Sequence, residues 1–187
     1  PYTRLRDGAQ TWIPVNIIGN LYVSNGMAAG NTMMEARSQA LSEIFERHIK
    51  NRIIREGLCL PEVPAHVIAR YPGIAAGIQG LRAAGFGILV RDASLGGRYP
   101  VMNVTLLHPK DQGCFASFGA HPRFEVALER ALTELLQGRA LESLEGFPEP
   151  GFDMEEITLP SNLEIHFVDS SGVIHWNFLG DTPDFPF

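Results

Sequence analysis

From Trp12 to Ser24 the chain reads "WIPVNIIGNLYVS", a run of β-branched and aromatic residues broken at Gly19-Asn20, and this predicts a strand. The period then changes. After the small-residue turn "NGMAAGN", the spacing from about Thr32 to Glu56 is that of a long helix, closed by Gly57 and Pro61. A second helical stretch covers about Gly73 to Ala84 and stops at Gly85. "GFGILVRDA", "VMNVTLLHP" and "GCFASFGA" then predict three strands, the first two separated by the turn "LGGRYP". "RFEVALERALTELLQGRALE" predicts another helix, and "GFPEPG" breaks it. Beyond it "LEIHFVD" and "VIHWNFL" read as short late strands, and the tail "GDTPDFPF" is expected to fray. Strands and helices alternate without regular βαβ units, so the predicted class is α+β in a single domain.

The two long helices resemble each other. Ala36, Ala40, Leu41, Glu43 and Glu46 match Ala127, Ala131, Leu132, Glu134 and Gln137 in order and spacing. Each helix also follows a short strand and a small-residue turn, "YVSNGMAAG" and "FASFGAHP". This reads as two strand–turn–helix units produced by an internal duplication. Chance likeness of two Ala/Leu/Glu-rich helices is the plainer alternative.

Composition narrows the function classes. At 187 residues, with 45% hydrophobic and 19% charged residues, the chain supports one good core, or two small ones at most, and is no disordered segment. A net charge of −6 argues against nucleic acid or an anionic membrane surface as a direct partner. No apolar run approaches the roughly 18 residues that span a bilayer. Cys59 and Cys114 are too few and too far apart for a disulfide framework, so a cytoplasmic setting is expected. The sequence starts at Pro1 without an apolar signal core, which reads as a processed chain or a piece of a longer one.

Charge patterning raises the candidate chemistry. Glu35, Gln39, Glu43 and Glu46 fall within about 80° of one another on a helical wheel, with Leu41, Ile44 and Phe45 opposite as the expected packing face. Most such stripes simply face water. Here no Lys or Arg relieves the like charges before Arg47, and the second helix keeps Glu134 and Gln137 at the matching places. Carboxylates without His or Cys companions form a hard oxygen site, better suited to Mg²⁺ than to zinc. Arg47 and Arg130 are natural phosphate partners, although Arg130 and Glu134 could equally form an intrahelical salt bridge. "SNGMAAGN" lacks the Lys of a Walker loop and the three-glycine dinucleotide spacing. The histidines form no metal pair, Ser170-Ser171-Gly172 has no nucleophile-elbow context, and Cys59 reads as a buried small side chain.

"SNGMAAGNTMMEARSQALSEIFER" together with "RFEVALERALTELLQGR" closely resembles the YcaO-domain family. The resemblance implies a YcaO-like fold that binds ATP and Mg²⁺ and activates a peptide-bond oxygen by phosphorylation. The closest variety is the bacterial housekeeping type, linked to β-methylthiolation of a small-subunit ribosomal protein. It implies Glu43, Glu46 and Glu134 as magnesium ligands, Arg47 and Arg130 facing the phosphates, and Asn31 and Glu35 in the nucleotide site. No residue is singled out as catalytic. A peptide or protein substrate and a substrate-presenting partner protein are implied, and a homodimer is left open. The chain resembles only the later part of the family's catalytic domain, without its amino-terminal segments, so the isolated chain is expected to bind nucleotide weakly or not at all. A non-catalytic, partner-binding remnant and a metal-dependent hydrolase are the two alternatives.

Overall fold

Thr32 starts the longest helix by accepting a hydrogen bond from the Glu35 amide at 3.1 Å, while the Glu35 carboxylate accepts from the Asn31 amide at 2.8 Å. That helix, α2 (Met33–Glu56), ends on Gly57, whose φ of 61° is left-handed. The Gly57 and Leu58 amides fold back onto the Ile54 and Ile53 carbonyls, each at 3.1 Å. The computed structural model describes residues 1–19, 26–136, 138 and 140–187. Ahead of α2 lie β1 (Tyr2–Thr3), β2 (Gln10–Thr11) and α1 (Val15–Gly19). After it come α3 (Ala65–Ile68), α4 (Pro72–Ala83), β3 (Gly87–Asp92), β4 (Val101–Leu107), β5 (Cys114–Ala120), α5 (Phe124–Leu136), α6 (Met154–Thr158) and α7 (Pro160–Val168). A 3₁₀ turn at Trp176–Leu179 follows.

β3, β4 and β5 form an antiparallel meander, with Val90 opposite Val104 and Val104 opposite Ser117. Alternate residues of the strands feed two cores, one on each face. On one face Ile88, Val104, Leu106 and Phe115 pack with Ile74, Ile78 and Leu81 of α4 and Ala127, Leu128, Ala131 and Leu135 of α5. On the other, Val101, Ala116, Phe118 and Ala120 pack with Ile49, Ile53 and Ile54 of α2, Ile157 of α6, Ile174 and Phe178. The sheet thus lies between two helical layers, which is why β4 is buried along almost its whole length.

Four sequence expectations give way here. The strand expected over residues 12–24 is helical at Val15–Gly19, because Pro14 has no amide for a ladder and suits the entry to a helical turn; residues 20–24 lie outside the described residues. "LEIHFVD" is helix α7, not strand: Pro160 sits in its first turn, and Asn162 and His166, four apart, face inward. "VIHWNFL" contributes one β-bridge at His175 and then the 3₁₀ turn. The tail is docked rather than frayed. The Asp184 amide donates to the Cys59 carbonyl at 3.0 Å, the Asp184 carboxylate accepts from the Cys59 amide at 2.8 Å, and Phe185 packs on the α2-side core.

Candidate functional site

The largest departure from the wheel concerns the face that α2 buries. Leu41, Ile44 and Phe45, the expected packing face, are 51%, 47% and 36% exposed. The buried stripe runs instead through Ser42, Ile49, Lys50, Ile53 and Ile54, and Glu46 lies on that stripe four residues after Ser42. Glu43 and Glu46 therefore point toward the rest of the protein.

What they meet is a cavity of about 240 Å³ at the β5 edge, between α2 on one face of the sheet and α5 on the other. Gln39, Glu43, Glu46, Arg47 and Lys50 line one wall, Arg130 and Glu134 the opposite wall, and Ser117 and Phe118 of β5 the floor. Val168 and Ser170, at the end of α7, close the side. Five of the seven expected site residues thus share one cavity. The other two, Asn31 and Glu35, are exposed and bonded to each other at the start of α2, outside its lining.

The wall is held by a specific set of bonds. Arg130 donates to the Ala120 carbonyl at 3.0 Å and reaches across to the Gln39 side chain, tying α5 to α2. No ion pair joins Arg130 to Glu134 among the described residues, so the intrahelical salt bridge does not form. Arg47 donates to the Phe167 carbonyl, lies over the Phe167 ring with 5.3 Å to its centroid, and stands 3.9 Å from the Glu43 carboxylate. Its buried Nε has no partner among the described residues. Lys50, which the sequence reading missed, is 4% exposed and donates to the Ser170 hydroxyl at 2.9 Å. Its signal was present: Lys50 stands one turn beyond Glu46 on the same stripe.

Burial dominates the electrostatics. It pushes the Glu46 carboxyl up to about 7, with the Glu134 charge adding and Lys50 and Arg47 opposing. Burial likewise pulls the Lys50 ammonium down to about 8, with Arg47 adding, against the attraction of Glu46 and Glu134. Both groups shift toward neutrality, so desolvation outweighs their attraction for one another.

Among the described residues no three His, Cys, Asp or Glu side chains are gathered closely enough to hold a metal ion by themselves. Magnesium takes one or two carboxylates with phosphate oxygens and keeps several waters. Glu43, Glu46 and Glu134 supply carboxylates on both walls, with guanidinium groups beside them. A cavity of about 240 Å³ is smaller than the roughly 300–1,000 Å³ of ordinary ligand pockets.

The family model described as YcaO cyclodehydratase, ATP- and Mg²⁺-binding, matches residues 1–185. The chain belongs to the YcaO family. It is 58% identical, over all 187 residues, to the ribosomal protein S12 methylthiotransferase accessory factor YcaO of Escherichia coli (strain K12), of which it covers 32%. It is 56% identical over the same length to an uncharacterized protein of Haemophilus influenzae, again covering 32%. The chain therefore spans about a third of the length of these curated YcaO relatives. Among solved structures, a heterocyclase in complex with substrate and cofactor shares 26% identity and a TM-score of 0.56, over 66% of this chain and 18% of that one. The heterocyclase TruD superposes with a TM-score of 0.59 at 22% identity, over 88% of this chain and 21% of that one, a likeness of fold. The mixed helix and strand architecture is thus shared with these heterocyclases. No helix among the described residues is long and apolar enough to cross a membrane.

Proposed function

We propose that this chain forms part of the phosphate and magnesium site of an ATP-dependent YcaO enzyme that activates a peptide backbone amide by phosphorylation. The observation that supports this reading best is the meeting of Glu43, Glu46 and Arg47 from α2 with Arg130 and Glu134 from α5 around one polar cavity. An amide oxygen is a weak nucleophile, so its activation needs a terminal phosphoryl group held in line with it and neutralised. Magnesium, when bound, supplies that neutralisation at the phosphate oxygens. Glu43, Glu46 and Glu134 would hold it. Arg47 and Arg130, each braced by a backbone carbonyl, would donate to phosphate from fixed positions. Asn31 and Glu35, beyond the cavity, belong in this reading to the remainder of the nucleotide site. The matching positions of Glu43 and Glu134 support an internal duplication as the origin of the two walls.

By its likeness to the Escherichia coli relative, the activity would serve β-methylthiolation of a small-subunit ribosomal protein. The substrate would then be a peptide or protein segment, presented by a partner protein, in the cytoplasm. The test is a calorimetric Mg²⁺ titration, with and without ATP, of a polypeptide of the relatives' length carrying this segment. The expected result is metal binding strengthened by nucleotide, lost together with ATP turnover in Glu46→Ala while the fold persists. Metal binding indifferent to ATP would point to a metal-dependent hydrolase, and no binding of either to a partner-binding remnant.

A further inference from the structure

Of the three cations on the cavity wall, Lys50 is the least committed to the protein. Arg47 is engaged by the Phe167 carbonyl, the Phe167 ring and Glu43, and Arg130 by the Ala120 carbonyl and Gln39. The Lys50 ammonium carries three donors, and among the described residues the Ser170 hydroxyl takes one of them. No carboxylate lies within ion-pair distance of it among the described residues. A buried ammonium with two donors left over is costly unless something else in the cavity accepts them.

Ser170 is placed for this purpose by a strained turn. Its φ is 65°, in the left-handed region that non-glycine residues seldom occupy. The Asp169 carboxylate fixes the turn by accepting from the Ser171 amide at 2.9 Å and from the Ser171 hydroxyl at 2.5 Å. Gly172 follows so closely that a Cβ there would lie 2.5 Å from the His166 ring. The end of α7 therefore presents the Phe167 carbonyl to Arg47 and, three residues on, the Ser170 hydroxyl to Lys50. Residue type agrees. The chain has two lysines, Lys50 and the exposed Lys110, against thirteen arginines, and the buried cavity position takes the compact, three-donor cation.

We infer that Lys50 is a phosphate-binding residue of the cavity and that Ser170, from the "DSSG" turn after α7, is its positioning residue. This rests on the phosphate site proposed above and adds a cation and a segment to it. The occupant it recognises is a phosphate chain, whether of a nucleotide or of free polyphosphate.

In a ¹⁵N-labelled polypeptide of the relatives' length carrying this segment, the assigned side-chain ammonium signals of Lys50 and Lys110 can be followed with the Arg130 Nε signal while millimolar magnesium pyrophosphate, or magnesium ATP, is added. The Lys50 signal is expected to shift saturably with that of Arg130 while Lys110 stays fixed. Lys50→Met should weaken binding about tenfold or more, and Lys50→Arg should recover part of the loss. Ser170→Gly, which keeps the left-handed turn and removes only the hydroxyl, should move the Lys50 signal of the free protein and weaken binding severalfold. If Arg130 responds and Lys50 does not, the Lys50 assignment falls and the proposed function stands; if neither responds, both fall. A response to pyrophosphate alone identifies the free phosphate chain as the occupant. A Ser170→Gly variant with an unmoved Lys50 signal and unchanged affinity would overturn the positioning role.

Discussion

Glu46 and His166 are buried titratable groups whose shifts run in opposite senses. For Glu46, pushed up from 4.5 to about 7, the folded state holds the proton more tightly than the unfolded chain. Its contribution is fully present below pH 4.5 and is lost as pH rises through about 7. His166 donates from Nε2 to the Val173 carbonyl at 2.9 Å, its buried Nδ1 has no partner among the described residues, and burial pulls it from 6.5 down to about 4. Here the unfolded chain binds the proton more tightly, so stability is lost as pH falls from 6.5 toward 4. At about 1.4 kcal/mol per tenfold change in proton affinity, each effect is at most on the order of 3 kcal/mol, less for the partly exposed Glu46. The two slopes oppose each other between pH 4.5 and 6.5. In metal-free buffer the wild-type chain should therefore show nearly level stability across that window. Glu46→Gln should expose the His166 slope, losing on the order of 2 kcal/mol on acidification while exceeding the wild type above pH 7. Urea denaturation at several pH values checks this, and identical slopes for the two proteins would contradict it. The acid stripe was legible in the sequence. Its burial was not, because a wheel orders side chains around an axis without saying which side the protein occupies.

The element pair that sets the cavity is β5 against α5. A Cβ added at Gly119 would lie 2.3 Å from the Ala127 carbonyl oxygen and 2.5 Å from the Ala131 amide nitrogen, so strand and helix meet backbone to backbone there. Gly119→Ala should cost about 3 kcal/mol or more, since backbone on both sides must move, and should release Arg130 from Ala120 and Gln39. Gly80→Ala, in an exposed turn of α4 with nothing within 4 Å, should instead stabilise by about 0.5–1 kcal/mol. Thermal melts of the pair separate close packing from backbone freedom. The helices α2, α4 and α5 and the three strands of the meander were legible because caps, glycine stops and periodicity agreed over many residues. α7 was not: its short alternating run fits either period, and Pro160 decided the matter only with the inward positions of Asn162 and His166 known.

Across the whole molecule, the last residues are tied to the β3 edge of the sheet through Arg91. This buried side chain on β3 donates to the carbonyls of Phe178, Leu179 and Gly180, the end of the 3₁₀ turn. The Cys59–Asp184 bonds then fix the tail, and burial pushes the Cys59 thiol up, as befits a small packed side chain. Asp184→Ala should leave the Cys59 amide unpaired, cost about 1–2 kcal/mol and speed proteolysis near Phe185, read by denaturation and mass mapping of the cut. Unchanged cleavage would mean that Phe185 packing alone holds the tail. Proline spacing in the sequence suggested a loose end because the partners of Asp184 lie more than a hundred residues earlier.

The sequence by itself determined what is local or chemical: the long capped helix, the strand meander, the carboxylates and arginines of the proposed site, and the family whose pattern they follow. Tertiary structure alone decided which face of α2 is inside, that Asn31 and Glu35 serve its start rather than the cavity wall, and that Lys50 and Ser170 line the cavity. Periodicity and capping depend on neighbours a few residues away and can be read in one dimension. Burial, and with it the electrostatic character of Glu46 and Lys50, depends on what α5, β5 and α7 bring from far along the chain.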